Sequence, residues 1–126
     1  MVLWILAGIG AYLGNVYLAS GLLLARIGPA AYMGPRDTLP KAGIYQERAR
    51  KSAVNFMENL PVFLGLGVLA LVVDGADQTL AGLGAQIFVL SRLAYMAVYV
   101  AGLPFIRSGI FTAGMAGMGI MAYALL

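Results

Sequence analysis

Residues 1–25, MVLWILAGIGAYLGNVYLASGLLLA, contain no charged side chain. At about 1.5 Å per residue a helix of this length reaches about 37 Å, enough to cross a hydrocarbon core of about 30 Å with some tilt. The stretch lacks the basic start of a secretory signal and no soluble composition follows it, so it is expected to remain in place as a spanning helix. The rest of the 126-residue chain agrees: it is 62% hydrophobic, its mean hydropathy is +0.90, and it carries only 8 Lys and Arg against 5 Asp and Glu. Globular chains run near a quarter charged, so the composition excludes a water-exposed enzyme and a disordered tail. The absence of Cys and His excludes a disulfide-stapled module, a zinc site, an imidazole base and a thiol nucleophile of the chain's own. Any nucleophile must arrive with a substrate.

A polar stretch follows, through Arg26, Arg36, Asp37, Lys41, Glu47, Arg48, Arg50 and Lys51, punctuated by Pro29, Pro35, Pro40 and Gly43. It reads as a loop with turns. The next apolar run, Leu60 to Val73, would reach only about 21 Å as a helix, so a spanning segment must take in Asn55 and Glu58. After a turn from Asp74 to Thr79, a third segment runs from about Leu80 to Leu103 with Arg92 near its middle. Pro104 to Ser108 form a further connection, and the stretch from Gly109 to Leu126 is uncharged. The expected fold is all-α: a single integral membrane domain of four helices at about 2–25, 47–73, 80–103 and 109–126.

The loop charges set the orientation. Six Lys and Arg lie between Arg26 and Lys51, none between Asp74 and Thr79, and Arg107 stands in the third connection. The first and third loops are therefore expected in the cytoplasm. The basic loop serves as a topology signal or attracts an anionic lipid or ligand; no aromatic-basic module for nucleic acid accompanies it. Gly10 and Gly14, and Ala113 and Gly117, make small-xxx-small steps suited to close helix contact. Pro61 should free the carbonyl of Met57 and kink the second helix or offer a neighbour an acceptor.

Ionisable groups in hydrocarbon cost several kcal/mol and usually line protein interior or a wet cavity. Arg48, Lys51, Asn55 and Glu58 are spaced 3, 4 and 3 along the second helix, and Arg92, Tyr95 and Tyr99 are spaced 3 and 4 along the third. Each set forms a stripe along a helix face. Two polar stripes imply a polar cleft opening toward the basic loop, or polar groups that fasten helices together. Glu58, the one acid inside the membrane, is the expected partner of Arg92 or of a ligand amine. Four short helices enclose little interior, so part of this polar contact is expected between chains.

These residues resemble a known family. Arg48 followed by Asn55, Glu58 and Pro61, then Arg92, Tyr95, Tyr99 and the pair Arg107-Ser108, is similar to the MAPEG family, the membrane-associated proteins in eicosanoid and glutathione metabolism. Gly34-Pro35-Arg36-Asp37 in the first loop also fits. The resemblance, to bacterial-type members, implies a homotrimer of four-helix subunits in a bacterial inner membrane, binding glutathione in clefts between subunits that open to the cytoplasm. Carried over by position, it implies that Arg26, Lys51, Asn55, Glu58, Tyr95 and Tyr99 hold the peptide and that Arg107 faces its thiol; Arg48 and Arg92 complete the two stripes. Lys51 stands where the family commonly has Arg, Tyr95 where some relatives have His, and Arg26 has no second Arg beside it, departures that bear on the eicosanoid activities more than on glutathione binding.

The chemistry suits that ligand. Glutathione carries two carboxylates, an amine and a thiol, and a cleft with several Arg, Lys51, Glu58 and two phenols supplies the complementary groups. Lowering a thiol pKa from about 8.5 to about 6.5 takes roughly 2.7 kcal/mol of preferential thiolate stabilisation. One guanidinium in a partly dry site can supply it; Arg107 is the expected residue, with Ser108 as a hydrogen-bond donor. The sequence thus implies a glutathione-dependent membrane transferase or peroxidase taking a lipophilic electrophile or hydroperoxide from the lipid. A ligand-binding or scaffold trimer without turnover and a small four-helix exporter are the alternatives.

Overall fold

The computed structural model describes residues 1–37, 39, 41 and 43–126. Four helices follow in order: α1 Val2–Met33, α2 Ile44–Val72, α3 Gln78–Ala101 and α4 Pro104–Tyr123. Each is long and apolar enough to cross a membrane. Large apolar side chains such as Leu3, Leu6, Val72 and Phe105 remain exposed on the subunit, as a chain solvated by lipid or by further subunits requires. The protein is an integral, multi-pass membrane protein.

The helix ends differ from the sequence expectation for local reasons. α1 continues past Ala25 and breaks at Gly28, whose backbone (φ 80°, ψ 164°) is non-helical. Proline disfavours the helical conformation in the residue before it, and Gly28 precedes Pro29; only glycine enters this positive-φ region at little cost. Arg26 and Pro29 therefore sit on helix, not in a loop, and the expected turn at Pro40 lies outside the described residues. α2 runs through Pro61 without a non-helical residue. Asp77 caps α3 by accepting from the backbone N–H groups of Thr79 and Leu80 at 3.0 and 2.9 Å. α3 ends on left-handed Gly102, after which Pro104 opens α4. Proline suits that position because a first-turn N–H has no helical acceptor. The connection expected over Pro104–Ser108 is thus the first turn of α4, and Arg107 and Ser108 are helical.

α3 packs most extensively on α4 and α1 on α2, with α2 also against α3; α1 and α4 do not pack on each other. The core is aromatic. Phe63 and Phe88 stack with ring centres 4.5 Å apart, while Phe56 meets Phe88 and Tyr12 edge-on at 6.0 and 5.7 Å. Small residues set the close approaches: a Cβ at Gly84 would lie 2.5 Å from the carbonyl oxygen of Gly117. Gly117 therefore serves the contact between α3 and α4, whereas Gly10 and Gly14 meet nothing within the subunit.

Candidate functional site

Two contacts fix how α2 lies against α3. Arg48 Nη1 donates to the carbonyl of Val100 at 3.2 Å, and Arg92 Nη1 donates to Asn55 Oδ1 at 2.8 Å. The helices are antiparallel, so moving along α2 from Arg48 to Asn55 moves back along α3 from Val100 to Arg92. In that register Glu58 comes level with Val89, a turn away from Arg92. The expected Arg92–Glu58 pairing is replaced by Arg92–Asn55, and Glu58 is exposed. Glu58 makes no ion pair among the described residues.

Arg92 is only 1% exposed. Its guanidinium carbon lies 5.1, 5.4 and 5.1 Å from the ring centres of Phe88, Tyr95 and Phe111, a cation–π cage that compensates part of its desolvation. Gly114 makes room on α4, since a Cβ there would fall 2.9 Å from Arg92 Nη2. Among the described residues its Nε and Nη2 have no hydrogen-bond partner.

In front of this cation opens a cavity of about 340 Å³ lined by Asn55, Tyr95, Arg107, Ser108, Phe111 and Thr112. It gathers residues from α2, α3 and α4. Tyr95 and Tyr99 pack edge-on at 5.5 Å, and the Arg107 guanidinium sits over the Tyr99 ring at 4.6 Å. That stacking gives Arg107 a defined position at the cavity wall while leaving its donors free of any carboxylate among the described residues. Ser108 Oγ is turned onto its own helix, donating to the carbonyl of Pro104 at 3.4 Å, and Thr112 Oγ1 donates to the Ser108 carbonyl at 3.0 Å. Phe111 and Thr112 were not anticipated from sequence. Helical spacing holds the signal, since they follow Arg107 and Ser108 by four residues.

The other expected binding residues fall outside this cavity. At about 100° per residue, Lys51 and Glu58 lie roughly 60° around α2 from Arg48 and Asn55. The single stripe is therefore two rows. Arg48 and Asn55 turn toward α3, while Lys51 is exposed and paired with Glu47 at 3.0 Å. Arg48 also closes against Gly102, where an added Cβ would meet its guanidinium at 2.7 Å; its charge sits on the carbonyl end of α3, where a cation is favoured. Arg26 Nε donates to the carbonyl of Lys41 at 3.0 Å, and Arg26 lines a different cavity with Leu22, Gly43, Tyr45 and Gln46. Within one subunit the structure joins Asn55, Tyr95, Tyr99, Arg107 and Ser108, places Arg92 behind them, and leaves Arg26, Lys51 and Glu58 apart.

A cavity with a free guanidinium, an amide and a phenol on its wall can take an anionic ligand and stabilise charge developing near Arg107. Together with four membrane-spanning helices, it defines a membrane protein with a polar, cation-bearing cavity between its helices. The chain belongs to the MAPEG family, whose model matches residues 1–126. It is similar to microsomal glutathione S-transferase 1 from Rattus norvegicus and from Mus musculus, at 36% identity over 83 residues in each case. Those matches cover 64% of this chain and 52% of each relative, so the chain matches about half the length of these curated relatives. No solved structure matches it.

Proposed function

We propose that the protein is a glutathione-dependent membrane transferase or peroxidase in which the cavity between α2, α3 and α4 takes the thiol end of glutathione. The observation that carries this reading is Arg107, fixed over Tyr99 at 4.6 Å and unpaired with any acid among the described residues. A cation already held in place stabilises a thiolate without reorganising as the charge forms. The thiolate attacks an electrophile or hydroperoxide that reaches the site from the lipid. Asn55 and Tyr95 line the same cavity and supply neutral polar contacts to the peptide.

The exposed residues fit a homotrimer. Glu58, Lys51 and Arg26 have the charges that glutathione's amine and carboxylates require, and a site between subunits would let one chain complete its neighbour's cavity. The six cations of the first loop support a cytoplasmic opening, and the proposed setting is a bacterial inner membrane. Calorimetric titration of the purified protein in mild detergent tests the reading: binding near one glutathione per chain, with turnover of a model electrophile, supports it. Binding without turnover would favour a non-catalytic ligand-binding trimer, and no binding would overturn the glutathione assignment.

A further inference from the structure

We infer that Arg92 is a positioning residue that fixes the polarity of the Asn55 amide, so that the cavity is presented with a hydrogen-bond donor and not an acceptor. The inference rests on the glutathione reading of the same cavity and explains what a buried cation contributes to it. Arginine has donors only. The atom of Asn55 that faces Arg92 Nη1 at 2.8 Å must therefore be the carbonyl oxygen Oδ1, and the amide Nδ2 is the group left to turn elsewhere. Asn55 is half-buried and lines the 340 Å³ cavity; Nδ2 takes part in no hydrogen bond among the described residues, leaving it free to donate to a carbonyl or carboxylate oxygen of the ligand.

Arg92 does not do this by touching the ligand. It is 1% exposed, is absent from the cavity wall, and is held among Phe88, Tyr95 and Phe111 with Gly114 against its far side. An amide without such a neighbour can exchange its oxygen and nitrogen by a half-turn about its terminal bond, and half of its orientations would then set an acceptor against the ligand's own acceptors. A buried guanidinium removes that alternative. The ligand side explains why the pair is not an ion pair: an Asp at position 55 would satisfy Arg92 but would show the ligand an acceptor-only, negatively charged group.

That contrast is the test. Asn55→Asp keeps and strengthens the bond to Arg92, so the variant should unfold no earlier than the parent while its glutathione affinity falls at least about tenfold. Arg92→Met fills similar space and releases the amide; its glutathione KM should rise about tenfold, with kcat and the pKa of the bound thiol unchanged. Arg92→Lys restores a donor to Oδ1 and should recover most of that loss. Parental affinity in Asn55→Asp, or in a folded Arg92→Met, overturns the inference. If Arg92→Met does not assemble, Arg92→Gln takes its place, since a glutamine offers Asn55 an acceptor as well as a donor: a raised glutathione KM with unchanged kcat supports the inference, and a parental KM overturns it. Absence of glutathione binding by the parent refutes the underlying reading and this inference with it.

Discussion

Asn15 on α1 donates from Nδ2 to Ser52 Oγ on α2 at 3.0 Å, and the two side chains are 1% and 0% exposed. This bond lies three residues before Asn55 on α2, so α2 is fastened to α1 by one polar pair and to α3 by the next. Asn15→Leu should leave Ser52 buried without its donor and cost about 0.5–2 kcal/mol, the span from double-mutant cycles in a membrane protein to model membrane helices. Adding Ser52→Ala should recover part of the loss by removing the stranded hydroxyl. Thermal unfolding of Asn15→Leu, Ser52→Ala and the double variant in one detergent checks this; additive losses would mean that the two groups are not coupled.

The glycines divide into those with neighbours and those without. A Cβ at Gly117 would lie 2.7 Å from the Gly84 carbonyl oxygen and 2.9 Å from the Phe88 nitrogen. Both are backbone atoms that cannot swing aside, so Gly117→Ala should destabilise by about 1–3 kcal/mol as an overpacked contact. A Cβ at Gly10 or Gly14 would meet no other part of the chain within 4 Å among the described residues. Alanine at either should leave the subunit's unfolding unchanged or raise it, since alanine favours a helix over glycine by about 1 kcal/mol. Loss of the proposed trimer without loss of helix content in Gly14→Leu would place that face of α1 between chains.

The four spans were legible in the sequence because uncharged stretches of bilayer length have few alternatives. Their ends were not: Arg26 looked like the start of a loop although a helix can carry an arginine to the headgroups, and Pro104 looked like a break although proline suits a helix start. Spacing and family likeness single out Asn55, Tyr95, Arg107 and Ser108, which line one cavity, and Tyr99 beside it. The pairing of Arg92 was not legible, because the register between α2 and α3 is a tertiary choice that the periodicity of either helix alone does not contain. The same spacing concealed the roughly 60° offset that separates Lys51 and Glu58 from Arg48 and Asn55.

Topology can be tested cleanly because the chain has no cysteine of its own. Lys41 and Asp77 are both exposed. Lys41→Cys should react with an impermeant thiol reagent only from the cytoplasmic side, and Asp77→Cys only from the other. The reverse pattern would turn the proposed cleft away from cytoplasmic glutathione.

If Arg107 stabilises a glutathione thiolate, the pKa of the bound thiol depends on that one guanidinium. Ultraviolet thiolate absorbance, followed against pH with saturating glutathione, should place that pKa about two units below a free thiol in the parent, equivalent to roughly 2.7 kcal/mol. Below the bound pKa the thiolate signal should vanish; in the window between the bound and free values only the protein-bound thiol should be ionised. In Arg107→Leu glutathione should still bind, because its carboxylates and amine do not depend on Arg107 in this reading, while its thiol pKa returns toward the free value and conjugation slows by up to about 25-fold at neutral pH as the thiolate fraction falls. An unchanged bound-thiol pKa together with an unchanged conjugation rate in Arg107→Leu would contradict the account.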